Sequence, residues 1–229
     1  MTDTLEHMDD FFNARADMYE EHMFKNVDGA DRYYAQTAAL LPAKPFSLLD
    51  LGCGTGLELD EIFKISPQAR VTGIDLSAKM LNKLREKHAD KDLTLICGSY
   101  FDVDFGTNAY DAVVAVQTMH HFTPQEKAVL YRKIYNALKP SGIYVETDYV
   151  APSLARERAF REEYRALLMA QNADGGFYHF DIPCAEQTQL TLLKKAGFSC
   201  PRAVQRYGDT VIFKAEKSFA SGNLFLKFL

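Results

Sequence analysis

The chain has 229 residues, 47% of them apolar, and a formal charge of −5 from 26 basic and 31 acidic side chains. That length suits one α/β domain, or one domain with a modest insertion, and the apolar share argues for a buried core and against disorder. The acidic balance gives no general attraction for a phosphate backbone, so nucleic acid is disfavoured as a substrate, and no apolar run is long enough to insert into a membrane.

Met1 to Asp10 is acidic and lacks the basic start and apolar stretch of a secretion signal. A cytoplasmic protein with reduced thiols is therefore expected. Cys53, Cys97, Cys184 and Cys200 form no C-x-x-C pair, which argues against a structural zinc site. Cys53 and Cys97 fall at strand ends, where buried packing thiols are expected.

In chain order, Phe11 to Met23 reads as a helix and Asp31 to Leu41 as a second, with Gly29 between them. Ser47 to Leu51 reads as a buried parallel strand, and Leu57 to Ile65 as the helix after it. Arg70 to Ile74 is the next strand, ending at Asp75. Ser77 suits the cap of a helix from Ala78 to His88. Thr94 to Cys97 and Tyr110 to Val116 are strands three and four. Thr123 and Pro124 have the residue types of an N-cap and first helical position. Ile143 to Thr147 is strand five. Leu154 to Met169 reads as a charged helix, solvated and laced with local ion pairs among Arg156, Arg158, Arg161, Arg165 and their Glu neighbours.

The alternation predicts a doubly wound α/β fold. Its sheet should have seven strands, mostly parallel, with an antiparallel last strand made by a hairpin at Gly208-Asp209. Gly197 should stop the last helix. The expected divisions are an N-terminal helical cap at 1–45 and a sheet domain at 46–217. Within the latter, 151–183 is a helical and loop insertion acting as a substrate lid, and 218–229 is an apolar tail without an assigned role.

Leu49-Asp50-Leu51-Gly52-Cys53-Gly54-Thr55-Gly56 follows a strand and opens a helix, the context a ligand-binding glycine loop needs. The spacing is G-x-G-x-G, with Leu57 where a dinucleotide fingerprint has its third glycine, and no Lys follows for a P-loop. Asp50 beside this turn repels a pyrophosphate and attracts an ammonium or sulfonium. Asp75, ending the second strand, is placed to accept hydrogen bonds from ribose hydroxyls. Leu76 and Met80 are candidates to pack near a base.

Leu49 to Gly56 resembles motif I of the class I S-adenosylmethionine (SAM)-dependent methyltransferases, and the resemblance runs from about Phe11 to Glu216. The lead-in Phe11 to Tyr19 is similar to the F-x-x-x-A-x-x-Y of small-molecule methyltransferases related to ubiquinone and menaquinone biosynthesis enzymes. The resemblance implies a Rossmann-like fold, SAM as cofactor with S-adenosylhomocysteine (SAH) as product, and a small-molecule acceptor. It implies a cofactor site of Tyr19, Asp50, Gly52, Cys53, Gly54, Gly56, Asp75, Leu76, Met80, Ser99, Tyr100 and Gln117. Ser99 stands where many members carry Asp, which shifts adenine recognition toward backbone groups and Tyr100 or Phe101. Tyr19 corresponds to a tyrosine that closes over the cofactor, and Arg15 is a candidate for its carboxylate.

Methyl transfer from a sulfonium needs mainly proximity, orientation and exclusion of water; a general base is needed only when the acceptor must lose a proton. His120 and His121, after the central strand, are the catalytic candidates. In strand five, Glu146 and Asp148 share one face and Thr147 and Tyr149 the other, and one pair should reach the acceptor. Asp148, Tyr149, Tyr178 and His179 are the candidate substrate residues. No metal is expected, and the chain is read as a monomer or homodimer. Two alternatives remain: a SAM-binding or SAM-modifying protein without methyl transfer, and, less favoured, a nicotinamide-dependent oxidoreductase.

Overall fold

The computed structural model describes residues 4–173 and 176–219. Three helices come first: α1 (Met8–Arg15), α2 (Tyr19–Asn26) and α3 (Ala30–Ala39). The single helix expected over Phe11 to Met23 is in fact α1 and α2, broken at Ala16 to Met18. The break redirects the chain so that Tyr19 opens a new helix. Gly29 has φ +81° and forms the N-cap of α3, a backbone state that suits glycine.

The sheet domain runs β1 (Ser47–Leu51), α4 (Leu57–Ile65), β2 (Arg70–Asp75), α5 (Ala78–Lys87), β3 (Leu93–Cys97), β4 (Tyr110–Val116), α6 (Pro124–Ala137) and β5 (Leu138–Tyr149). It continues with α7 (Leu154–Ala170), α8 (Glu186–Ala196), β6 (Ser199–Tyr207) and β7 (Thr210–Glu216). The caps follow the sequence chemistry. Ser77 Oγ accepts from Met80 N, Thr123 and Glu126 form a reciprocal capping box, and Gly197 ends α8 in the left-handed region.

The seven strands lie in the order β3-β2-β1-β4-β5-β7-β6. β1 to β5 are parallel; β7 is antiparallel to both β5 and β6. The last strand in sequence is thus an inner strand, and β6 takes the edge. Because β7 bonds to β5 along its whole length, it brings Thr210 beside Tyr149. Strand five starts earlier than the apolar run suggests, with an irregular pairing between Tyr110 and Ala112 that accommodates Pro140 to Gly142.

Alternating side chains place two cores on opposite faces of the sheet. Leu48, Val114 and Ile212 pack with Leu59, Ile62 and Tyr33 on one face. Leu49, Val113, Ala115 and Phe213 pack with Leu130, Ile134 and Leu193 on the other. The Arg-rich helix α7 is solvated as expected, with ion pairs from Arg156 to Glu163 and Arg161 to Glu157. All four cysteines are free; Cys97 is exposed, not the buried thiol expected, because β3 is an edge strand. Among the described residues no helix is long and apolar enough to cross a membrane. The apolar tail lies outside the described residues from residue 220 onward.

Candidate active site

The strand order reverses between β1 and β4, and the crevice at such a point, beyond the carboxyl ends of the strands, is where open α/β sheets bind ligands. Here those ends deliver Gly52, Asp75, Ser99, Gln117 and Asp148 to one edge of the sheet. Asp75 organises the glycine loop: its Oδ2 accepts from Gly54 N at 2.9 Å and its Oδ1 from Ser77 N at 2.8 Å. Gly52 has φ +74°, and a Cβ there would stand 2.6 Å from both Thr118 Oγ1 and Tyr100 Oη. Those two hydroxyls bond to each other at 2.9 Å. At Gly54, φ +47°, a Cβ would meet Tyr19 and the Gly52 carbonyl at ordinary contact distance, 3.9 Å.

A narrow cavity lies over this loop. Of the residues expected to bind cofactor, Tyr19, Gly52, Gly54, Asp75, Leu76, Met80, Ser99, Tyr100 and Gln117 line it. Asp50, Cys53 and Gly56 do not. Asp50 is fully buried beneath the loop, where its carboxyl meets that of Glu58. Burial, together with the charge of Asp75, pushes Asp50 up to about 7, and its interaction with the Glu58 carboxyl partly offsets the rise. Burial and Asp50 likewise push Glu58 up. Cys53 packs under the loop against Gly73, and Gly56 starts α4 against Leu84.

The second chamber, about 720 Å³, adjoins the first. Phe12, Tyr19, Gln117 and His121 belong to both walls, so they mark the junction. Gln117 has φ +50°, unusual for a non-glycine residue, and its Nε2 donates to Thr210 Oγ1 at 3.0 Å. Tyr149 and His179 face the second chamber, as does Arg15. Arg15, a candidate for the cofactor carboxylate, instead pairs with Glu6 at 3.2 Å and lies over the Phe11 ring.

Neither face of strand five supplies a whole pair. Tyr149 reaches the chamber, while Thr147 bonds to Thr37 in the core. Glu146 is buried among Tyr131, Tyr144 and Gln189. Asp148 is also buried and does not line the chamber. It acts on His120, whose Nδ1 donates to Asp148 Oδ1 at 2.6 Å. The other ring nitrogen of His120 stands 3.4 Å from Asp181 Oδ1. Burial opposes charge on His120, but the carboxylates of Asp148 and Asp181 outweigh it and raise the imidazole to about 10. His121 moves the other way: burial and the charge on His120 push it well below the ordinary range.

The roof joins two segments distant in sequence. Phe11 of α1 stacks on His179 with centroids 3.4 Å apart. Met8 N donates to Phe177 O, and His179 N to Glu6 O, both at 2.9 Å. Tyr178, expected at the substrate, points away from the chamber and packs on His7, 4.6 Å between ring centroids. The alternation of this short paired segment puts His179 and Tyr178 on opposite sides. Two site residues were missed by sequence reasoning. Asn13 accepts from Ser77 Oγ at 2.8 Å and docks α1 on the start of α5. Asp181 had only its place in an aromatic, His-containing loop as a signal.

Residues 48–142 match a family model described as a methyltransferase domain. The chain is 31% identical over 204 residues to a carboxy-S-adenosyl-L-methionine synthase of Campylobacter fetus, covering 81% of this chain and 86% of that one. It is 30% identical over 166 residues to a 24-methylenesterol C-methyltransferase of Oryza sativa, covering 65% of this chain and 45% of the relative. The chain spans about half the length of several curated relatives it matches, covering 45%, 44% and 47% of them. In fold it resembles magnesium protoporphyrin IX methyltransferase from Synechocystis with bound SAH, with TM-score 0.65 and 17% identity over 92% of this chain and 97% of that one. The sheet order, the glycine loop and the near-full-length sequence match together place this chain in the class I, Rossmann-like SAM-dependent methyltransferase family.

Proposed function

We propose that this protein transfers a methyl group from SAM to a small-molecule acceptor bound in the second chamber. One observation carries the reading: the cavity over the glycine loop and the larger chamber share a wall at Phe12, Tyr19, Gln117 and His121. A donor in one and an acceptor in the other would meet there.

The residues fit SAM. Gly52 and Gly54 bring the loop backbone to the cavity wall, and Tyr19 closes over Gly54 at contact distance. Asp75 lines the same cavity and would serve the ribose, with Leu76, Met80, Ser99 and Tyr100 around the base. SAM, when bound, supplies an electrophilic methyl on a sulfonium. The chain supplies the rest. Phe12 and Tyr19 roof the junction, so α1 and α2 must lift for entry and close again to exclude water. Gln117 is held by its bond to Thr210 and presents an amide at the junction. His121 at the junction and His120 beside it in the acceptor chamber are polar groups placed to orient an acceptor. Tyr149, His179 and Arg15 shape the acceptor chamber, with Asp148 and Tyr178 as supports behind it. The four free cysteines suit a cytoplasmic setting.

A second reading is favoured by the relatives named carboxy-S-adenosyl-L-methionine synthase, which match over most of their length. In that reading SAM itself is altered and the second chamber holds the co-substrate. Calorimetric titration with SAM, SAH and NAD comes first; micromolar SAM and SAH binding without NAD binding is expected, about −8 kcal/mol. An acceptor screen then follows SAH release by mass spectrometry. SAH together with a methylated product supports methyl transfer. Consumption of SAM into a heavier SAM derivative, without SAH, supports the second reading.

A further inference from the structure

We propose that His120, His121 and Asp181 form a binding site for one divalent first-row transition-metal ion, open to the acceptor chamber. His120 Nε2 and His121 Nδ1 each lie 3.4 Å from Asp181 Oδ1. All three ligand atoms are within 4.8 Å of one another. These spacings are long for charge-assisted hydrogen bonds, which run about 2.7–2.9 Å. They match coordination instead: two ligand atoms each about 2.1 Å from a tetrahedral ion stand about 3.4 Å apart.

The surroundings are those of a metal site. Metal-binding histidines commonly give their second nitrogen to a carboxylate, which fixes the ring and leaves the other nitrogen's lone pair aimed at the ion. Asp148 does this for His120 at 2.6 Å, from a fully buried position. Both histidine side chains are nearly buried, 9% and 4% exposed, whereas Asp181 is 46% exposed and leaves an entry path. The loop is held in register by Ile182 N donating to His120 O at 2.9 Å. Three protein ligands facing a chamber leave a coordination position open, the arrangement of catalytic rather than structural sites. Two imidazoles and one carboxylate suit zinc, iron or manganese more than calcium or magnesium.

The role of the ion rests on the methyl-transfer reading. An acceptor oxygen bound at the open position would have its pKa lowered by the ion and would release its proton to solvent, with no histidine acting as base; the methyl–oxygen bond would then form as the methyl–sulfur bond of SAM breaks, leaving SAH. The acceptor class is then a hydroxyl or carboxyl compound able to coordinate through oxygen. Sequence reading expected no metal, because the ligands lie on the β4–α6 turn and on a distant loop with no compact spacing motif.

The test uses the full chain, stripped with chelator and titrated calorimetrically with Zn(II), Mn(II) and Co(II), with the Co(II) absorption spectrum recorded. One equivalent should bind, with a visible spectrum of histidine and oxygen coordination. D181N, a partly exposed and conservative change, should weaken binding by about 100-fold, and D148N by about 10- to 100-fold. SAH affinity and melting temperature serve as folding controls for both variants. No stoichiometric binding by the wild type, or binding unchanged in D181N, overturns the site. Metal binding with no methylated product leaves the site standing and rejects the methyl-transfer reading. Full methyl transfer by a protein that binds no metal does the reverse.

Discussion

Asp75 at the end of β2 accepts the backbone N–H of Gly54 in the loop after β1, at 2.9 Å, while its second oxygen caps Ser77 N at 2.8 Å. One carboxylate thus fixes the glycine loop and the start of α5 together, beneath the cavity where SAM is proposed to bind.

D75N removes one of these two acceptors and places an amide N–H₂ against a backbone donor. A hydrogen bond to a charged group contributes about 1.5–3 kcal/mol. SAH affinity should therefore fall by about 10- to 100-fold with the sheet intact, as read by calorimetry and far-UV circular dichroism. Unchanged affinity would detach Asp75 from the cofactor site.

G52A tests the close approach of the loop to Thr118 and Tyr100. The added methyl would meet both hydroxyls at 2.6 Å, at a φ of +74°. Overpacking costs about 1–3 kcal/mol, and the backbone strain adds to it. A lower melting temperature and a loss of SAH binding of at least about 10-fold are expected. Thr118→Ser, which keeps the hydroxyl, should leave both nearly unchanged.

The buried pair Asp50 and Glu58 predicts a pH effect on stability. Both carboxyls are raised chiefly by burial: Asp50 to about 7 with Asp75 adding and Glu58 partly offsetting, and Glu58 further by Asp50 with Lys87 partly offsetting. The folded chain therefore keeps protons that the unfolded chain releases above about pH 4. Their contribution is fully present below that pH and is lost as pH rises through about 7. E58Q should raise the melting temperature at pH 8 and flatten its decline between pH 6 and pH 8. A decline as steep as that of the wild type would show that the pair does not carry it.

His179 faces the acceptor chamber and stacks on Phe11, whereas the glycine loop is built without it. H179A should raise the acceptor KM by about 10-fold, the scale of one lost aromatic contact of about 1.5 kcal/mol. SAH affinity should stay within about twofold of the wild type. A collapse of SAH binding would mean that the 177–179 segment supports the cofactor cavity rather than the acceptor.

The strands and most helices were legible because their signals are local. Leu48, Leu49 and Leu51 make a short apolar run interrupted only by Asp50, and the Ser77 and Thr123 caps act within one helical turn. Most of the cofactor candidates could be read for the same reason: a strand end followed by a glycine turn fixes where Gly52 and Gly54 lie. Asp50 and Glu58 illustrate the limit. Asp50 is adjacent to the loop in sequence, yet its side chain points beneath it, because strand alternation and burial decide direction rather than proximity. The break between α1 and α2 was hidden because Ala16, Asp17 and Met18 carry no glycine or proline.

By itself, the sequence determined a doubly wound sheet, a glycine loop at its switch point and an acid at the next strand end. Those features follow from hydrophobic period, turn stereochemistry and residues within a few positions of one another. Only the tertiary structure decided that α1 and the 177–181 loop meet as one roof, that Tyr178 turns away while His179 turns inward, and that Asp181 joins His120 and His121. Those contacts close long chain loops through packing against a shared core, and no local pattern encodes which distant side chains such closure brings within a few ångströms.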